Sequence, residues 1–183
     1  FKDDNKRRTS DDKPCDYLLT ITTETNNFTF SGKIIIGKKL AEDFDLSTEI
    51  NQLRAGNPRV GAVATFVGTV RDQNDGASVS VMTLEHYPGM TEKSLEEIIQ
   101  KAKARWDIFD VLIIHRVGPL DIEDQIVLVA VTGAHRGEVF AACEFVMDYL
   151  KTLAPFWKKE VTSEGERWVD ARLSDDEALK KWD

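Results

Sequence analysis

The chain has 183 residues, 42% hydrophobic and 31% charged, which suits one soluble domain with a real core, alone or with a small extension. A net charge of -8 and a pI of about 5.0 argue against a general nucleic-acid binder; an anionic small molecule fits only where cations are concentrated locally. Cys15 and Cys143 make no disulfide framework and fit a reducing cytosol, no apolar run reaches membrane-spanning length, and no signal peptide is visible.

Residues 1–16 are mostly charged or polar and read as a flexible tail. The opening Phe1 reads as a processed or truncated end, or one added for expression. Residues 17–23 are β-prone, Asn26-Asn27 reads as a turn before residues 28–30, and residues 33–36 form a further short strand. Leu46, Ile50 and Leu53 recur at i, i+4, i+7 after an N-cap at Asp45 or Ser47, predicting a short helix that stops at Gly56-Asn57-Pro58. Residues 60–70 are β-rich, with glycines that signal a bulge or a close backbone approach. A polar loop at 72–76 leads to a strand over 79–87, broken by Pro88-Gly89. Thr91 is expected to cap a helix reaching Trp106, with Leu95, Ile98, Ile99 and Ala102 on one face.

Residues 111–115 read as a short buried strand, Gly118-Pro119 as a turn, and residues 125–132 as the strongest strand. A long helix follows over 135–153, striped by Val139, Phe140, Cys143, Val146, Met147 and Leu150 and ended by Pro155. Residues 156–162 and 167–171 form a hairpin, and Ser174 with Glu177 makes a capping box for a last short helix. Several strand pairs are linked too tightly for parallel crossovers, so the class is α+β with a largely antiparallel or mixed sheet.

Chemistry is expected first in residues 150–160, where Lys151, Lys158 and Lys159 stand among Leu, Phe and Trp around Pro155. Lysines against apolar surface can act as acids, bases or anion clamps. Lys151 also fits a plain role as a cation at a helix C-terminus, worth about 0.3–1 kcal/mol. On a strand, Lys158 and Lys159 face opposite ways, one sharing a side with Phe156 and the other with Trp157. Only one is then expected to be functional, and Lys159 is assigned as the solvated partner of Glu160.

The turn Thr132-Gly133-Ala134-His135-Arg136-Gly137 opens the long helix. It reads either as an anion site, with small residues, free N–H groups and His and Arg donors, or as an ordinary strand-to-helix turn. Arg71 reads as an anion clamp or an exposed loop arginine. His86 and His115 are lone strand histidines without metal-site spacing, and Cys143 reads as a small core residue. His135 and Lys151 are sixteen residues apart on one helix, about 24 Å at ~1.5 Å per residue, so one small substrate meets both only across a symmetric dimer.

Four segments, GAVATFVGTVRDQNDG (61–76), LEHYPGMTEK (84–93), VTGAHRGEVFAACEFVMDYLKTLAPFWKKE (131–160) and EGERWVDAR (164–172), resemble the catalytic subunits of molybdopterin synthases. The similarity runs from about residue 33 to the end, which makes 33–183 the catalytic domain and 1–32 an extension expected to be flexible. The resemblance implies an α/β hammerhead-type fold with an additional antiparallel β region. It implies a cytoplasmic sulfurtransferase of molybdenum-cofactor biosynthesis that converts precursor Z, a cyclic pyranopterin monophosphate, to molybdopterin. Sulfur would come from the C-terminal Gly-Gly thiocarboxylate of a small ubiquitin-like subunit, with two large subunits forming a homodimer inside a heterotetramer.

Carried over by position, the catalytic residues are Lys151 and Lys158. Substrate binding falls to Thr69, Val70, Arg71, His135, Arg136, Lys151, Lys158, Lys159 and Glu160, and pocket lining to Phe66, Met147 and Arg172. No metal, nucleotide or other cofactor is implied in this subunit, and no nucleic acid or membrane. The competing readings are a non-catalytic dimeric scaffold for a ubiquitin-like tail and a phosphate-ester hydrolase on the same fold, the latter disfavoured because no nucleophile–base pair is visible.

Overall fold

A computed structural model of the chain describes residues 19–25, 28–37, 43–74, 76–163, 165–169 and 177–183. The elements run β1 Leu19–Thr25, β2 Phe28–Gly37, α1 Leu46–Arg54, β3 Ala62–Thr69, β4 Gln73–Asn74, β5 Ala77–His86 and α2 Met90–Arg105. They continue with β6 Ile108–Arg116, β7 Gly118–Asp121, β8 Gln125–Gly133, α3 Arg136–Leu153, β9 Phe156–Thr162, β10 Gly165–Val169 and a 3-10 turn at Lys180–Trp182. One sheet has the order β1-β2-β6-β8-β3, parallel only at β2/β6; the other has the order β10-β9-β5-β4, with β7 also paired to β5. The class is α+β with mixed and antiparallel sheets.

Alternation of apolar side chains decides how the first sheet is covered. Val111 and Ile113 of β6, with Val129 and Val131 of β8, pack toward α2 and α3 in the cluster holding Leu95, Ile99, Phe145 and Val146. Leu112, Ile114, Leu128 and Ala130 point the other way and meet Phe44, Leu46, Ile50 and Leu53, so α1 covers the opposite face. Buried on both faces, β6 and β8 read as continuous apolar runs. Each fully buried Val, Leu or Ile contributes roughly 1.5–3 kcal/mol relative to exposure.

Local expectations were corrected at several points. The two short strands expected over 28–36 are one, β2, which runs through the boundary drawn at residue 32. Gly118-Pro119 is no turn but the start of β7, paired with Leu84 and Thr83 of β5. Thr91 does not cap α2: Gly89 holds the N-cap position at φ 85°, and Glu92 Oε2 accepts from the Gly89 N–H. Within the loop expected over 72–76, Gln73 and Asn74 form β4 against Ser78 and Ala77. Ser174 of the last proposed capping box and Cys15 lie outside the described residues.

Candidate active site

The site is built at the corner between α3 and β9. The helix ends at Leu153, Pro155 follows, and the Phe156 N–H donates to the Ala154 carbonyl at 2.8 Å, a tight reversal. Thr91 of α2 ties this corner down: its wholly buried hydroxyl donates to the Pro155 carbonyl at 3.1 Å and accepts from the Tyr87 N–H at 3.1 Å. The outcome is that Lys151, at the end of the helix, and Lys158, on the strand, line one cleft of about 620 Å³.

Strand alternation sorts the β9 side chains. Phe156, Lys158 and Glu160 face the cleft, whose walls also include Phe66, Thr69, Arg71, Asn74, His115 and Met147. Lys159 faces away. Its ammonium pairs with Glu166 at 2.9 Å and lies 5.8 Å from the Trp168 ring centre. Glu160 is therefore the partner of Lys158, at 2.7 Å, and not of Lys159 as the sequence reading had it, because residues two apart share a face.

Glu160 is wholly buried, and its carboxylate also accepts from Asn74 Nδ2 at 2.9 and 3.2 Å and from Arg167 Nη2 at 3.2 Å. Burial pushes its pKa up, but the hydrogen bonds from Lys158, Asn74 and Arg167 and the Lys158 charge outweigh that and hold it below the ordinary carboxyl value. Among the described residues, Lys151 and Arg71 form no ion pair, leaving two cations for an anionic ligand. His115 stacks on Phe156 with ring centres 3.7 Å apart and planes 13° from parallel. Burial lowers its pKa to about 4, so the ring is neutral near pH 7; Nδ1, 2.9 Å from the Arg116 carbonyl, then carries the hydrogen and donates it.

Of the residues singled out from the sequence, Phe66, Thr69, Arg71, Met147, Lys151, Lys158 and Glu160 come together in the cleft. Val70 is buried beneath it, and its backbone is committed: its N–H donates to the Asp124 carbonyl and its carbonyl accepts from the Glu123 N–H. His135 and Arg136 are exposed at the far end of α3, His135 as the N-cap. Arg172 lies outside the described residues.

The small residues of the turn before α3 have a packing role here. A Cβ on Gly133 would stand 2.7 Å from Val139 Cγ2, and one on Gly61 would stand 2.5 Å from the Ala134 carbonyl oxygen. Sequence reasoning missed Asn74, His115 and Arg167. Asn74 and Arg167 lie within segments that carry the resemblance, but their role shows only when folding sets them beside Glu160, and the stacking of His115 on Phe156 joins strands distant in the chain.

Fold and cleft together define an α+β protein with a cleft lined by Arg71, Lys151 and Lys158, suited to an anionic ligand. The chain belongs to the MoaE family: the family model described as MoaE protein matches residues 40–153. It is 67% identical over 140 residues to the molybdopterin synthase catalytic subunit of Ralstonia nicotianae, covering 76% of this chain and 80% of that one. It is 53% identical over 150 residues to the molybdopterin synthase catalytic subunit of Escherichia coli, covering 82% and 97%. The solved structure of the molybdopterin biosynthesis MoaE protein of Burkholderia ambifaria matches with a TM-score of 0.67 at 62% identity, over 77% of this chain and 92% of that one.

Proposed function

We propose that this chain is the catalytic subunit of a molybdopterin synthase, a sulfurtransferase that converts precursor Z to molybdopterin in molybdenum-cofactor biosynthesis. The observation that carries the reading is the convergence of Lys151 and Lys158, from separate elements, on one cleft with Arg71. Membership of the MoaE family and the similarity to molybdopterin synthase catalytic subunits of other bacteria support it. A scaffold that only holds a ubiquitin-like tail needs a groove, but not two lysines facing one pocket.

The partner is a small ubiquitin-like sulfur carrier whose C-terminal thiocarboxylate enters the cleft, where cations steer it. Attack of the thiocarboxylate sulfur on a substrate carbon calls for proton transfer and for stabilisation of a developing oxyanion. Lys151, beside Met147 and Leu150, is the main catalytic residue, and Lys158 is a second acid–base or oxyanion-stabilising group. Arg71 and Thr69 hold the substrate, with Phe66 and Met147 lining its pocket and Arg172 kept as a further lining residue; Val70, whose backbone is committed, and Lys159, which pairs with Glu166, are left out of substrate contact.

His135 and Arg136 are supplied by a second large subunit, because the length of α3 separates them from Lys151 by about 24 Å. The assembly is a homodimer of large subunits with a small subunit at each end, acting in the cytoplasm. The catalytic unit takes in β2 whole and so begins before residue 33.

The test mixes the chain with thiocarboxylated small subunit and precursor Z and assays the dithiolene pterin. Product should form with the wild-type chain, and Lys151→Ala should abolish it while the dimer persists. Retained turnover in that variant would remove Lys151 from its role.

A further inference from the structure

The cleft holds a charged network that the lysines alone do not explain. Glu160 stands on β9 between Met82 of β5 and Arg167 of β10, with no solvent exposure. A carboxylate buried among apolar neighbours is costly unless its lone pairs are filled. Here they are filled from three elements. Lys158 reaches Oε1 at 2.7 Å, Arg167 reaches Oε2 at 3.2 Å, and the Asn74 amide spans both oxygens.

The orientation of the Asn74 amide follows from its neighbours. Its NH₂ must face the carboxylate, so its Oδ1 faces Arg71, whose Nη2 lies 3.5 Å away. Arg167 braces the same residue from behind by donating to the Asn74 backbone carbonyl at 2.9 Å. A continuous line thus runs Arg71–Asn74–Glu160–Lys158, with Arg167 clamping its middle. A leucine at position 160 would fill the space but leave the Lys158 ammonium free to swing among its rotamers.

We propose that Asn74 and Arg167 are positioning residues for the sulfur-transfer reaction, acting through Glu160 to fix the Lys158 ammonium in the cleft and through Asn74 to set its spacing from Arg71. The proposal rests on the assignment of Lys158 to the chemistry. It also gives Glu160 a role without substrate contact: its acceptors are taken by protein donors.

The groups that face Glu160 are Lys158 on its own strand, Arg167 on β10 and Asn74 on β4, while β5 presents Met82 and Leu84. Removing one donor makes the carboxylate take up a proton at higher pH, and Lys158 then loses its partner at higher pH.

The experiment measures kcat and KM against pH for Asn74→Leu and Arg167→Gln, in the full assembly with thiocarboxylated small subunit and precursor Z. In each, kcat should fall about ten-fold; KM should stay nearly unchanged in Arg167→Gln and rise in Asn74→Leu, which also releases Arg71. The acid limb of the kcat profile should move to higher pH. Arg167 is partly exposed, so its variant remains informative if the buried Asn74 variant fails to fold.

Adding Arg167→Gln to Glu160→Gln should cause little further loss, since both act on one ammonium. Unchanged kcat, an unmoved acid limb or fully additive losses would overturn the proposal. Lys158→Ala separates the two levels. If it keeps wild-type turnover, the assignment of Lys158 fails; if it is inactive while Asn74→Leu and Arg167→Gln behave as wild type, only the positioning role fails.

Discussion

His115 shows how much one side chain contributes when burial sets its protonation. In the folded protein its pKa is lowered to about 4 from 6.5, first because the ring is desolvated and despite the bond to the Arg116 carbonyl. The unfolded chain therefore binds the extra proton first as pH falls. Stability from this group is complete above about pH 6.5 and is lost progressively down to about pH 4.

Between about pH 7 and about pH 5 the wild-type protein should lose about 2 kcal/mol from this source alone. His115→Leu should flatten that slope, as read by urea unfolding at the two pH values; an equal slope in the variant would refute the assignment. Glu160 acts in a separate window. Its lowered pKa means that its contribution is present above the ordinary value of 4.5 and is lost only as pH falls through the lower folded value. Cys143 is the inert counterpart: burial first, and then the Glu144 charge, push its thiol up to about 11, in keeping with a core residue that takes no part in the chemistry.

At the scale of elements, the decisive feature is the corner that joins α3 to β9. Proline alone ends the helix, but the direction of the exit depends on Thr91 in α2, 64 residues away in the chain. Thr91→Val keeps the shape and removes both hydroxyl hydrogen bonds, leaving the Pro155 carbonyl and the Tyr87 N–H without their Thr91 partner. Urea unfolding should show a loss of about 1–3 kcal/mol. Turnover should fall as well, because the corner sets Lys151 against Lys158. A variant with wild-type stability and turnover would show that the corner is held by Pro155 alone.

Period-two alternation along β9 was legible beforehand, and it correctly put Lys158 and Lys159 on opposite faces. It did not say which face was the cleft, since that is decided by β5 packing beside β9 and by α3 packing above. Adjacent strand residues point to opposite faces, which is why Glu160 pairs with Lys158, two positions away, and Lys159 pairs with Glu166.

At the scale of the whole molecule, the length of α3 imposes the strongest constraint. Two candidate ligand-holding groups, His135-Arg136 and Lys151, stand at opposite ends of a helix running Arg136–Leu153. The proposed dimer predicts complementation between chains. Lys151→Ala and Arg136→Ala homodimers should each be inactive, whereas their co-expressed heterodimer should recover one intact site of its two. Recovery would be read as dithiolene pterin formed by the purified heterodimer; no recovery would mean that each cleft is completed within its own chain.

The local elements were legible in the chain, because apolar spacing, Gly and Pro act over a few residues: α1, the long helix ended before Pro155 and the strong strand β8, while the resemblance named seven of the cleft-lining residues. The convergence of Lys151 and Lys158 across Pro155 was expected and is met in the cleft, whereas the packing of distant elements was needed to commit the Val70 backbone to Glu123 and Asp124 and to set Asn74 and Arg167 beside Glu160. Those relations join residues dozens of positions apart, and they exist because a buried carboxylate must fill its lone pairs from whatever strands the sheet brings beside it.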